Sequence, residues 1–148
     1  MRICFDMDGT IADLYGVDNW LEKLIAYDES PYLFAKTLLN MSVLARMLNK
    51  LQKNGYEIGI ISWLSKNSTS DYNERVTAAK QAWLKRHLKS VQFNFITIVD
   101  YGTDKNIVRM NDNDILFDDE LKNRENWGGI AYDVNNIIEI LKNLKKSA

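Results

Sequence analysis

The sequence predicts an α/β domain built on a parallel sheet, and three observations predict it. Short, nearly continuous apolar runs recur at Arg2-Ile3-Cys4-Phe5, Glu57-Ile58-Gly59-Ile60-Ile61-Ser62, Phe95-Ile96-Thr97-Ile98-Val99 and Asp114-Ile115-Leu116-Phe117-Asp118; strands buried on both faces read this way. Helical patterns separate them in the order β, α, β, α, β, short α, β, α, and strands alternating with helices pair in parallel. Each run is followed at its C-terminal end by polar residues of catalytic type: Asp6 and Asp8, then Ser62, then Lys105 after a short loop, then Asp118 and Asp119. Parallel strands gather these ends on one edge, where open α/β sheets keep their sites.

The first strand ends in Asp6-Met7-Asp8-Gly9-Thr10. Residues 14–40 then break the alternation with two short helical patterns, so they are expected to form a small helical cap inserted into a single domain spanning 1–148. Tyr15, Trp20, Tyr27, Tyr32 and Phe34 make this segment aromatic, and packing onto the domain is the default role for most of them. Ser30-Pro31 reads as an N-cap followed by proline at the first helical position. The next helix runs from about Ser42 to Asn54-Gly55, where Gly55 is free to turn left-handed. Asp71 through Glu74 resembles a capping box, opening a helix whose apolar members include Val76, Ala79, Trp83 and Leu84. A weak strand is expected at Gly129-Ile130-Ala131-Tyr132. Asp133 is placed to cap a last helix carrying Ile137, Ile138, Leu141 and Leu144, and Lys145 to Ala148 read as a loose tail.

Composition narrows the function classes. The chain of 148 residues is long enough to bury a core without disulfides or structural metal. Lys+Arg 19 against Asp+Glu 20 leaves a net charge of -1, which argues against duplex nucleic acid as the main partner. The single Cys4 lies inside the first apolar run, where a small core residue is expected, and suits a reducing compartment. No stretch approaches the roughly 20 apolar residues of a membrane span, and no secretory signal is apparent. A soluble, cytoplasmic protein is expected.

Two carboxylates placed side by side, Asp6 and Asp8, repel unless a cation or a shared proton relieves them. Taken alone, Asp-x-Asp-Gly reads as a turn, since Asp and Gly are common turn formers. The other strand ends change that balance, because a solvated loop has no reason to present acid, hydroxyl, lysine and acid in turn. Together they match the needs of phosphoryl transfer: carboxylates can hold Mg²⁺, which keeps its remaining places for water and phosphate, while lysine and hydroxyl hold phosphate oxygens.

These residues resemble the haloacid dehalogenase-like superfamily of aspartate-nucleophile phosphatases over nearly the whole chain. Asp6-Met7-Asp8-Gly9-Thr10 matches the first motif, Ile60-Ile61-Ser62 the second, Lys105 in Gly102-Thr103-Asp104-Lys105 the third, and Ile115-Leu116-Phe117-Asp118-Asp119 the fourth. Asp104-Lys105 before the fourth strand, then Asp118-Asp119-Glu120, Asn126-Trp127 and a Gly-Ile strand, are also similar to the 5′(3′)-deoxyribonucleotidases and their bacterial and phage relatives. The resemblance implies a three-layer, Rossmann-like sheet and a Mg²⁺-dependent phosphatase. It makes Asp6 the nucleophile and Asp8 the acid and then the base. Asp6 and Asp118 hold the metal with the backbone carbonyl of Asp8, and Asp119 supports it. Ser62 and Lys105 bind phosphate, Lys105 also orients Asp6, Gly9 leaves room for backbone to approach phosphate, and Thr10 ties down the turn.

Rival readings fail on particular residues. With His87 as the only histidine, a multi-histidine zinc site is excluded, and its place among Lys85, Arg86 and Lys89 marks a solvated helix end. There is no Gly-x-x-x-x-Gly-Lys-Ser/Thr loop. A phospho-receiver domain would have to use Asp100 and leave Asp118-Asp119 unexplained; a catalytically dead binding module would be expected to lose Asp6, Asp8 or Lys105. The substrate expected is a small phosphomonoester. Tyr15, Trp20 and Trp63 lie near the first two motifs, and a nucleotide base is a natural stacking partner for them. A sugar phosphate or a nucleic-acid end is the alternative, for which Ser65, Lys66 and Asn67 could supply polar contacts.

Overall fold

The computed structural model describes residues 1–147, with side chains described through residue 144. Its main sheet has five strands, β1 (Arg2–Phe5), β4 (Glu57–Trp63), β5 (Phe95–Val99), β6 (Ile115–Phe117) and β7 (Ile130–Tyr132), in the order β5-β4-β1-β6-β7. All four pairings are parallel, with Phe5 in register with Ile60 on one side and Phe117 on the other. The first strand is therefore central, and its neighbours come from distant parts of the chain. A two-stranded antiparallel ribbon, β2 (Ala12–Asp13) with β3 (Lys36–Thr37), forms a separate small sheet.

The central strands β1, β4 and β6 are buried on both faces, which is why they read as continuous apolar runs, whereas the edge strands β5 and β7 are partly exposed. Ile3, Phe5, Ile58, Ile60, Ile115 and Phe117 face a layer built from α3 (Met41–Lys53), α4 (Ser70–His87) and α6 (Ile137–Ser147). Cys4, Ile61 and Leu116 face the other way, onto Val108 and Trp127. This second layer is thin, consisting of a 3-10 turn (Lys105–Val108) and α5 (Leu121–Asn126). The result is the three-layer, Rossmann-like α/β arrangement expected. Gly59 in β4 has a packing reason: a Cβ there would run into the Phe95 ring.

Residues 14–40 hold a 3-10 turn (Leu14–Gly16), α1 (Trp20–Ile25) and α2 (Ser30–Phe34) before β3. Tyr32 and Leu14 pack with Tyr72, Val76 and Ala79 of α4, whereas α1 buries none of its residues.

Helix starts differ from expectation in two places. α2 begins at Ser30 with Glu29 as N-cap, and the Asp28 carboxylate accepts from Ser30 N–H at 2.9 Å. α4 begins at Ser70, capped by the Thr69 hydroxyl on Tyr72 N–H at 3.2 Å; Asp71 instead pairs with Arg75 one turn on. α6 continues to Ser147, so the backbone over 145–147 is helical where a loose tail is expected, and Ala148 lies outside the described residues. No helix among the described residues is long and apolar enough to cross a membrane.

Candidate active site

The carboxyl ends of β1, β4 and β6 meet at one edge. After β1 the chain turns tightly: the Met7 carbonyl accepts N–H bonds from Thr10, Ile11 and Ala12 at 2.9–3.1 Å, with Gly9 at φ 79°. That turn holds the Asp6 carboxylate from one side, because the Thr10 hydroxyl donates to Asp6 Oδ2 at 2.9 Å. From the other side the Lys105 ammonium, only 2% exposed, donates to Asp6 Oδ1 at 2.8 Å and to Asp118 Oδ2 at 2.7 Å. Lys105 reaches the site from the 3-10 turn of the thin layer, and its Nζ also sits 5.1 Å from the centre of the Trp63 ring. Burial works against its charge, yet the two carboxylates overcome this and raise its pKa.

Asp118 is fixed on every side. Its Oδ1 accepts from Glu120 N–H at 2.9 Å and its Oδ2 from Asn123 Nδ2 at 3.1 Å, while Arg124 donates to its carbonyl at 2.9 Å. Asp6, Asp118 and Asp119 each bring a carboxylate oxygen to within 4.8 Å of the others. Burial first, and then the charge of Asp6, push Asp118 up and lift Asp119 to about 8. Asp118 and Asp119, whose ionisation is disfavoured here, together with Asp6 form a carboxylate donor set suited to a hard divalent cation.

Asp8 does not join this cluster. Its Oδ2 accepts from Lys80 Nζ at 2.9 Å, and the acidic cluster is formed by Asp6, Asp118 and Asp119 without it. Burial raises the Asp8 pKa, with Lys80 pulling the other way. Ser62 is fully buried, and its hydroxyl lies 2.6 Å from the same Lys80 nitrogen. Gly9 faces Asp119, whose Oδ2 would overlap a Cβ at that position.

Above these groups opens a cavity of about 520 Å³. Asp6, Asp8, Lys105, Asp118 and Asp119 line it below. It is also lined by Tyr15, Trp20, Leu21, Leu24 and Ile25 of the 14–40 segment, by Trp63, Leu64 and Tyr101, and by Ser65, Lys66, Asn67, Glu120 and Asn123. Tyr15 and Trp20 meet edge to face at 4.9 Å, and Trp63 and Tyr101 lie 5.0 Å apart.

Sequence reasoning missed two residues that hold the site, Lys80 and Asn123. Lys80 left a legible sign: it lies at the spacing of the apolar stripe Val76, Ala79, Trp83 and Leu84 of α4, where a lysine must be buried or break the stripe. Asn123 left none, since an asparagine in a short polar helix is unremarked until the fold turns it toward Asp118.

The fold is thus a three-layer α/β arrangement on a parallel sheet, with an acidic cluster and two buried lysines beneath a cavity at the carboxyl edge of its strands. The chain is similar in fold to the crystal structure of D,D-heptose 1,7-bisphosphate phosphatase from Burkholderia Thailandensis, with a TM-score of 0.53 and 13% sequence identity over 97% of each chain. No protein-family model matches the chain, and no curated protein is similar enough to count as a relative.

Proposed function

We propose that this chain is a Mg²⁺-dependent phosphomonoester hydrolase of the haloacid dehalogenase-like type, working through an aspartyl-phosphate on Asp6. The observation that carries the reading is the Lys105 ammonium bridging Asp6 and Asp118 below an open cavity, with Asp119 beside them. The similarity in fold to a phosphatase supports it.

In the first step an oxygen of Asp6 attacks phosphorus while the bond to the leaving alcohol breaks, and the alcohol oxygen takes a proton from Asp8. The raised pKa of Asp8 favours the protonated form this needs. In the second step water attacks the aspartyl-phosphate, Asp8 takes its proton, and phosphate leaves with Asp6 restored. Lys105 and Thr10 hold the Asp6 carboxylate in place throughout, and Lys105 and Ser62 are assigned to the oxygens of the transferring group, with Gly9 and Thr10 shaping the loop beside it. Asp6, Asp118 and Asp119 would hold Mg²⁺, with the Asp8 carbonyl. Bound there, the cation offsets the repulsion between an anionic nucleophile and an anionic substrate.

The substrate proposed is a (deoxy)nucleoside monophosphate. Residues 14–40 then act as a small cap whose Tyr15 and Trp20, with Trp63 on the same cavity, accept the base. Leu21 and Ile25 of α1 remain 50% and 70% exposed, apolar surface that a flat ring would cover. A sugar phosphate is the alternative, with Ser65, Lys66, Asn67, Glu120 and Asn123 on the cavity lining as its polar partners.

The test is phosphate release from a panel of 5′- and 3′-nucleotides and sugar phosphates, with Mg²⁺ or EDTA, by wild type and Asp6→Asn. Mg²⁺-dependent turnover abolished by Asp6→Asn is expected, with nucleotides ranking first. Equal background in both proteins would overturn the phosphatase, and sugar phosphates ranking first would overturn the nucleotide assignment alone.

A further inference from the structure

The Lys80 ammonium has three hydrogens and uses all of them: on Asp8 Oδ2 at 2.9 Å, Ser62 Oγ at 2.6 Å and the Trp63 carbonyl at 2.7 Å. Its residue is 1% exposed, and Nζ stands 4.9 Å from the centre of the Tyr32 ring. One atom of α4 thus ties the loop after β1 to the end of β4, against an aromatic ring of α2. An apolar residue would complete the α4 stripe without the penalty of burying a charge, and replacing buried ion pairs by hydrocarbon is often neutral or stabilising. What lysine adds is direction.

Resting on the phosphatase reading above, we infer that Lys80 is a positioning residue for leaving-group protonation: it fixes the Asp8 carboxylate by one oxygen and leaves the other free to face the leaving group. The same contact orients Ser62. An ammonium can only donate, so Ser62 Oγ accepts from Lys80 and keeps its own proton for another acceptor, such as a phosphoryl oxygen. Lys80 is separate from the lysine that holds the nucleophile. Lys105 acts on Asp6 and Asp118, and Lys80 acts on Asp8 and Ser62.

The test compares kcat/KM, which reads formation of the aspartyl-phosphate, for a nucleoside monophosphate and for p-nitrophenyl phosphate, whose nitrophenolate leaves without needing a proton. In Lys80→Met the nucleotide value should fall about 100-fold, the range of a lost general acid, while the p-nitrophenyl value should fall less than about 10-fold. Equal losses on both substrates, or no loss in a folded variant, would overturn the inference. If Lys80→Met does not fold, Asp8→Asn and Asp8→Asn/Lys80→Met carry the test, since the double variant leaves no buried charge unpaired. With the acid already gone, adding Lys80→Met should leave the ratio of the two substrates unchanged to within about twofold. A further loss specific to the nucleotide there would overturn it. A wild type inactive on both substrates would overturn the phosphatase reading, and this inference with it.

Discussion

Gly9 sits where backbone conformation and site chemistry meet. Its φ of 79° is open to glycine and strained for other residues, and a Cβ would overlap Asp119 Oδ2 and meet Tyr15 Cε2 at 2.9 Å. Gly9→Ala is therefore expected to destabilise the fold by about 1–3 kcal/mol and also to displace Asp119. Urea unfolding with and without Mg²⁺ separates the two effects, because a displaced Asp119 reduces the stabilisation Mg²⁺ gives, and a purely conformational cost leaves it unchanged. Cys4 makes an opposite case, a reactive residue type made inert: buried in the central strand, its thiol is pushed up to about 12 chiefly by burial. A thiol reagent at neutral pH should label it only after unfolding, and rapid labelling of the native protein would contradict its placement. At this scale Asp6, Asp8, Ser62, Asp118 and Asp119 were legible because each lies at the carboxyl end of an apolar strand or just beyond it, and Lys105 because it follows one after a short loop, and the carboxyl end of a parallel strand has a known place in the fold. Lys80 and Asn123 were not, because they lie on helices and owe their partners to tertiary packing.

Helix boundaries show how local rules compete. Asp71 and Glu74 present an acidic pattern that reads as a capping box, yet Thr69, two residues earlier, takes the cap. Threonine's shorter side chain satisfies Tyr72 N–H from extended backbone, which releases Asp71 to the half-exposed Arg75. Thr69→Ala should lower stability by about 1 kcal/mol, whereas Asp71→Ala should change it by less than about 0.5 kcal/mol, since its partner contact is a solvated one. Thermal denaturation of the two variants beside wild type checks the order. The five strands were readable as elements, being apolar runs with clear polar ends. The β2–β3 ribbon was not, because two residues per strand leave no periodicity to detect.

Across the whole molecule, buried carboxylates pull stability in two directions as pH changes. Asp114 is fully buried and accepts N–H bonds from Arg2, Met110 and Asn111 at 2.7–2.9 Å; burial raises its pKa, but these bonds outweigh burial and hold it low. Its contribution is present above the unfolded carboxylate value of about 3.9 and is lost as pH falls through the native one. Asp119 has the reverse sign. Its native value of about 8 lies above the unfolded one, so its contribution is complete in acid and is lost as pH rises toward 8. In EDTA the melting temperature should therefore pass through a maximum in mild acid and decline toward pH 8, as Asp119 ionises beside Asp6 and Asp118. A divalent cation competes with that proton, and so Mg²⁺ should act more strongly at high pH. At a hundred times its dissociation constant it contributes about 2.7 kcal/mol, or about 5–10 °C for a chain of this size. Melting curves at pH 5 and pH 8, each with Mg²⁺ and with EDTA, measure both effects. A Mg²⁺ shift of equal size at the two values would mean that the cation binds away from the three carboxylates, and a flat EDTA profile would mean that they ionise without repelling one another.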